Sequence, residues 1–195
     1  MKDRPMFLEP LEVQALLEAP NTRSATGLRN RCIMGLMYEA GLRVSEVLAL
    51  KLRDVNIRER RVEILRGKGA RSRTAYFRSV TLSELLERWK EIRPESEYLF
   101  CNIRSTDRGG QVATRNIQRA VAGYAEVAGI PGRVTPHSLR HTCATEMMRR
   151  GVNLRVVQEA LGHSWISTTQ VYTHVVNDDV RRAMATETGV RPVDE

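Results

Sequence analysis

The stretch "DVNIRERRVEILRGKGARSRTAYFRSVTL", Asp54 to Leu82, decides the fold class, because the hydrophobic period changes inside it. On either side, apolar residues recur every three or four positions. Within it, three β-prone runs are separated by turns: Val55–Ile57, Val62–Leu65 and Thr74–Val80. Side chains that are branched at Cβ or aromatic pack well on a pleated surface, and period-two patterning marks strands. The first turn is Arg58-Glu59-Arg60, and the second is the glycine-rich "GKGARS". The pattern predicts a small three-stranded antiparallel sheet inserted into a helical chain.

Working outward, "PLEVQALLEAP" (Pro10–Pro20) predicts a short helix bracketed by prolines, followed by the polar loop "NTRSATG". Leu28, Cys32, Ile33, Leu36, Met37 and Ala40 then fall at helical spacing, predicting a buried helix that ends at Gly41, a residue suited to a left-handed position after a C-cap. "LRVSEVLALKL" starts another helix, with Ser45 as the expected cap. Beyond the sheet, helices are expected over 82–92, 113–128, 137–150, 153–161, 167–174 and 178–186. "CNIRSTDRGGQ" (Cys101–Gln111) reads as the longest loop. There is no internal repeat, low-complexity segment or linker. The expected class is mainly α with a small three-stranded antiparallel β-sheet (α+β), in one domain.

The bulk numbers fit that expectation. Of 195 residues, 42% are hydrophobic and 28% charged, enough apolar content for a core built from Leu, Val, Ile, Met and Ala, since aromatics make up only 5%. Thirty-one Lys and Arg against twenty-three Asp and Glu leave a net charge of +8, which favours a polyanionic partner, nucleic acid ahead of membrane. Cys32, Cys101 and Cys143 are odd in number and form no CxxC pair, so neither a disulfide framework nor a cysteine zinc site is indicated. No apolar run is long enough to span a membrane, and the first residues lack the apolar stretch of a signal peptide. A cytoplasmic protein with reduced, buried thiols is expected.

Six polar residues, with Glu46 beside the first of them, are the candidates for chemistry. Arg43 follows a helix end, with Glu46 three residues on. Lys68 sits at the hairpin tip. His137 and Arg140 share one face of a helix's first turn, His163 lies in "LGHSWIS", and Tyr172 lies in "STTQVYTHV". Each also has an ordinary reading: a surface salt bridge for Arg43 and Glu46, a solvated lysine, a capping histidine, a loop histidine, a core tyrosine. Together they are what metal-free attack on a phosphodiester needs. The phosphate gains charge in the transition state, so fixed cations must stabilise it, and the planar arginine fork matches two phosphate oxygens. The leaving sugar oxygen needs a proton, which a lysine can deliver. A tyrosine of pKa about 10 is roughly three units from ionised at pH 7, a cost of about 4 kcal/mol, which a neighbouring histidine and a cationic pocket offset.

The stretches "AGLRVSEVLALKLRDV", "RGKGARSR" and "TPHSLRHTCATEMMRRGVNLRVVQEALGHSWISTTQVYTHV" resemble the catalytic domain of the tyrosine recombinase (phage integrase) family, from about Phe7 to Val176. The resemblance implies roles. Arg43 and Arg140 would clamp nonbridging phosphate oxygens, and Glu46 would brace the first arginine. Lys68 would be general acid toward the 5′ oxygen, with Arg71 and Arg73 on the same hairpin competing for that role or touching DNA. His137 would take the tyrosine proton or hydrogen-bond the phosphate, His163 would donate to the phosphate, and Tyr172 would attack to leave a 3′-phosphotyrosyl bond. His141 receives no role beyond packing or a backbone hydrogen bond. No cofactor and no metal are expected.

The same resemblance sets residues 1–176 as the catalytic domain and 177–195 as a tail that packs at home or passes to a neighbouring subunit. It sets the N-terminal DNA-binding domains of most relatives as absent, whether by excision or in a natural single-domain protein. The implied partner is double-stranded DNA at paired recombination sites, met by a homotetramer in the synaptic complex and a monomer free in solution, nucleoid-associated and without membrane contact. Phage-type integration is the leading reading, with chromosome-dimer resolution or promoter inversion as alternatives. The rivals from other classes are a non-catalytic DNA-binding regulator on the same fold, a topoisomerase, and a zinc enzyme using His137 and His141.

Overall fold

The computed structural model describes residues 7–65, 72–103 and 107–162. Among these, seven α-helices surround one small sheet: α1 (Pro10–Glu18), α2 (Ala25–Glu39), α3 (Val44–Ala49), β1 (Val55–Asn56), β2 (Arg61–Ile64), β3 (Arg73–Tyr76), α4 (Val80–Ile92), α5 (Thr114–Val127), α6 (Pro136–Arg149) and α7 (Leu154–Leu161). A short 3-10 turn, Leu52–Asp54, leads into β1. The sheet is antiparallel in the order β1-β2-β3, with Val62 facing Val55 on one side and Ala75 on the other. The mainly helical α+β class is therefore as the period change predicts. The expected helices 167–174 and 178–186 lie outside the described residues, as do the tip of the second hairpin and the tail.

Two local expectations are corrected. The run Thr74–Val80 is not all strand. β3 ends at Tyr76, and Ser79 caps α4 by accepting the Leu82 N–H at 3.1 Å. The Arg78 and Ser79 amides also donate to Glu39 Oε2, at 2.9 and 2.8 Å, which turns the chain from sheet to helix. Ser45 is not the cap of α3 either. The N-cap is Arg43, whose backbone N–H donates to Glu46 Oε2 at 2.8 Å, a carboxylate satisfying one orphan amide of the helix start. The helix is also shorter than its sequence pattern, ending at Ala49.

α2 is the centre of the core. It packs against α1, α3, α4, α5 and α6, and Cys32, Ile33, Leu36 and Met37 are fully buried on it. Trp89 of α4 stacks with Phe100 and donates Nε1–H to the Leu99 carbonyl at 2.9 Å, fixing the chain after α4. All three cysteines are free and buried. The ends of the Cys101–Gln111 loop pair with each other across an isolated bridge. α2 ends as expected. Gly41 follows it with φ +61°, and a Cβ there would stand 2.3 Å from Leu161 Cδ2, so the turn after α2 meets the end of α7 with no room for a side chain. α6 and α7 share the smaller apolar cluster of Ala144, Met148, Val157 and Leu161. Asn153 starts α7 by accepting the Arg155 N–H at 2.8 Å, and Gly162, at φ +65°, closes it.

Candidate active site

The turn after α2 lies against the ends of three other elements, and Glu46 stands at their meeting point. Its side chain is nearly enclosed, with 11% exposed. Arg43, at the start of α3, gives Nη1 to Oε1 at 3.0 Å. From β3, Arg73 grips both oxygens with its fork, Nη1 to Oε1 at 2.8 Å and Nη2 to Oε2 at 2.9 Å. From α6, Arg140 Nη1 lies 3.7 Å from Oε2. Three guanidiniums thus converge on one carboxylate, leaving an excess of fixed positive charge. Burial alone would push the Glu46 carboxyl up. The hydrogen bonds from Arg73 and from the Arg43 amide, with the charges of Arg73 and Arg140, outweigh it and hold the group down at about 2.

The arginines differ in exposure. Arg140 is 4% exposed and is anchored by main-chain carbonyls, Nη1 donating to Gly41 and Nη2 to Leu161 at 2.6 Å. Arg43 is 39% exposed, its Nη2 reaching the Gly162 carbonyl at 3.4 Å. So α6 places one guanidinium in the floor of the site, while α3 places the other at its rim.

His137 is exposed on the first turn of α6. That helix opens with Pro136 at its first position and Ser138 Oγ accepting the Thr135 N–H at 3.2 Å, with no acidic residue in the first turn. Its positive end is therefore left uncompensated on the side of His137 and Arg140, which favours an anion there. Partial burial of the ring, then the charges of Arg140 and Arg43, lower the pKa of His137, which favours the neutral imidazole that can accept a proton. His141 lies buried behind it, its ring stacked on that of His137 at 6.4 Å between centroids and 6.3 Å from Phe7 on its other side. It has the packing fate expected of it.

Of the sequence-derived residues, the structure brings together Arg43, Glu46, His137 and Arg140. Lys68, Arg71, His163 and Tyr172 lie outside the described residues. Arg73 is described, and it does not project toward solvent as a DNA contact would. Its side chain is 10% exposed, clasping Glu46 and donating Nε–H to the Ala160 carbonyl at 3.0 Å. Sequence reasoning also passed over a basic cleft of about 370 Å³ between α5 and the start of α6, lined by Arg115, Gln118, Arg119 and Arg133. These arginines are exposed, and none pairs with a carboxylate among the described residues. Arg115 and Arg119 at i, i+4 were the available signal. Among the described residues, no three His, Cys, Asp or Glu side chains form a metal-ligand cluster, and no helix is long and apolar enough to cross a membrane.

A mainly helical domain with a small sheet, in which three arginines gather around one carboxylate at the start of a helix, defines a class of domains with a cationic site suited to an anion. The sequence matches the Phage integrase family over residues 6–178, and the chain belongs to that family. It is 36% identical over 180 residues to Tyrosine recombinase XerC of Thermodesulfovibrio yellowstonii, covering 88% of this chain and 58% of that protein. It is 37% identical over 180 residues to Tyrosine recombinase XerD of Pseudomonas aeruginosa, covering 89% and 59%. The chain thus spans about three fifths of the length of these curated relatives. Among solved structures it is similar to a XerA recombinase, with TM-score 0.78 and 32% identity over 98% of this chain and 68% of that one. It is also similar to a XerH site-specific recombinase bound to palindromic difH substrate in a post-cleavage complex, with TM-score 0.77 and 28% identity over 93% and 53%.

Proposed function

We propose that the chain is the catalytic part of a site-specific DNA recombinase that cleaves and rejoins strands through a 3′-phosphotyrosyl intermediate. The observation that carries this reading is the convergence of Arg43 and Arg140 on one site, at the start of the helix that also presents His137, whose pKa is lowered. A phosphodiester seated there meets two guanidinium forks and the positive end of α6, groups that bind a pentacoordinate phosphate more tightly than the ground state. The phenol oxygen of Tyr172 attacks phosphorus. Its proton passes to His137, and the bond from phosphorus to the 5′ oxygen breaks. Lys68 protonates that leaving oxygen, while His163 donates to a nonbridging oxygen. The free 5′ hydroxyl of a partner strand then reverses the step. One phosphoester replaces another, so no ATP is consumed.

The partner in this reading is double-stranded DNA at paired sites, held by four copies during strand exchange and by a single copy otherwise. Arg115, Arg119 and Arg133 serve as contacts to the backbone outside the scissile phosphate. A cytoplasmic, nucleoid-bound location follows from that partner. Phage-type integration remains the leading biological role. Chromosome-dimer resolution is supported by the curated relatives named XerC and XerD.

The test uses the full chain and a pool of nicked duplexes carrying randomised half-sites, in which the short fragment beyond the nick diffuses away and traps the intermediate. Denaturing electrophoresis should reveal a protein–DNA adduct with the wild type. Tyr172→Phe should lose the adduct and keep its DNA affinity. An adduct that persists in that variant, or a wild type that binds DNA and never couples to it, rejects the reading in favour of another nucleophile or a non-catalytic binder.

A further inference from the structure

Glu46 poses a chemical difficulty for the reading above, on which this inference rests. A carboxylate offers two oxygens in the same spacing that a phosphate offers to an arginine fork. Placed between Arg43 and Arg140, it competes with the substrate for the very donors that should bind it. The structure contains a device that limits this competition. Arg73 occupies both oxygens at once, 2.8 and 2.9 Å from its two terminal nitrogens. Among the described residues, Arg43 reaches the carboxylate with its Nη1 at 3.0 Å, and Arg140, whose terminal nitrogens also donate to the Gly41 and Leu161 carbonyls, approaches it at 3.7 Å.

We propose that Arg73 is a positioning residue that holds Glu46 in a fixed plane and prevents it from closing on Arg43 and Arg140, so that both remain able to receive a phosphate. Its placement suits the task. The guanidinium is anchored by three donors, the third being Nε–H to the Ala160 carbonyl at 3.0 Å. It is nearly enclosed, at 10% exposure, so its grip on the carboxylate is little screened by solvent. It also ties together three separate elements: β3, which follows the hairpin tip, α3 through Glu46, and the last turn of α7 through Ala160. Lysine cannot reproduce this, because one ammonium has no planar fork to span two oxygens.

The experiment compares the full-length wild type with Arg73→Gln, Arg73→Lys and the double variant Arg73→Gln/Glu46→Gln. Two quantities are read: Kd for duplex DNA across a salt series, and the single-turnover rate of adduct formation on the trapping substrate. Arg73→Gln should leave Kd and its salt dependence nearly unchanged while slowing adduct formation about 100-fold, the scale of losing a preorganised donor to the transition state. Adding Glu46→Gln neutralises the internal competitor, so the double variant should regain about tenfold over Arg73→Gln alone, a coupling of the size seen between residues of one network. A residue that only stabilised the fold would show no such recovery. Where Arg73→Gln fails to fold, Arg73→Lys with and without Glu46→Gln makes the same comparison.

Weaker binding with a salt slope reduced by about one would make Arg73 a DNA contact and overturn the assignment. So would an Arg73→Gln protein that cleaves at the wild-type rate, or a double variant no faster than the single one. A wild type without adduct overturns the recombinase reading, and this inference with it. A normal wild-type adduct beside any of the other adverse results overturns the Arg73 assignment alone.

Discussion

His141 shows how a single side chain behind the site carries a measurable signature. Burial first, and then the neighbouring His137, push its pKa down to about 4, against 6.5 for an unperturbed imidazole. The unfolded chain therefore binds a proton at this position more readily than the folded one. Stability from this residue is fully present above pH 6.5 and falls as the pH drops from 6.5 toward 4, below which it is constant. Urea unfolding midpoints followed across that window should fall with pH, and His141→Phe should flatten the fall relative to the wild type. Equal pH dependence in the two proteins would mean that His141 is not buried as a neutral ring. At this scale much of the site is legible in sequence, because Arg43 with Glu46 and His137 with Arg140 are pairs within one helical turn. Arg73 is not, because its partner lies 27 residues away and an arginine on a hairpin reads as a DNA contact until its burial is known.

At the scale of elements, the site depends on how closely α2, α6 and α7 approach. Arg140 crosses from α6 to the carbonyls of Gly41 and Leu161, so the turn after α2 and the end of α7 must stay in register with α6. Gly41 makes the approach possible twice over. Its φ of +61° is poorly populated by residues with a side chain, and an added Cβ would meet Leu161 at 2.3 Å. Gly41→Ala should destabilise the fold by about 1–3 kcal/mol from backbone strain, with the contact adding to it. Gly129→Ala provides the comparison, since φ is +67° there and nothing stands within 4 Å of the new Cβ. Denaturant titration of both variants separates strain from contact, and equal losses would remove the contact from the account. The glycine at the end of α2 was visible in the sequence, as were the helices with a strong 3.6 period. What was not visible is the approach of the turn after α2 to the end of α7. The end of β3 and the cap of α3 were also misplaced, because Glu39 and Glu46 capture main-chain amides through contacts that periodicity does not encode.

For the whole molecule, the balance of +8 is informative only once its distribution is known. Many arginines are spent on internal partners, as Arg73 is on Glu46 and Arg149 is on Glu9. Arg115, Arg119 and Arg133 are different, being exposed around one cleft and without a carboxylate partner among the described residues. In the recombinase reading these cations displace counterions from the DNA backbone, and each should steepen the salt dependence of binding by about one unit of log K per log salt. Replacing all three with glutamine should therefore flatten the slope by about three units and weaken binding most at low salt. Thermal stability should change little, because exposed arginines that lose no carboxylate partner among the described residues contribute little to the fold. Filter binding or anisotropy between 50 and 200 mM salt reads the slope, a range over which such contacts have large effects. A slope unchanged in the triple variant would show that the DNA path avoids this cleft, moving the nonspecific contacts to another face of the domain.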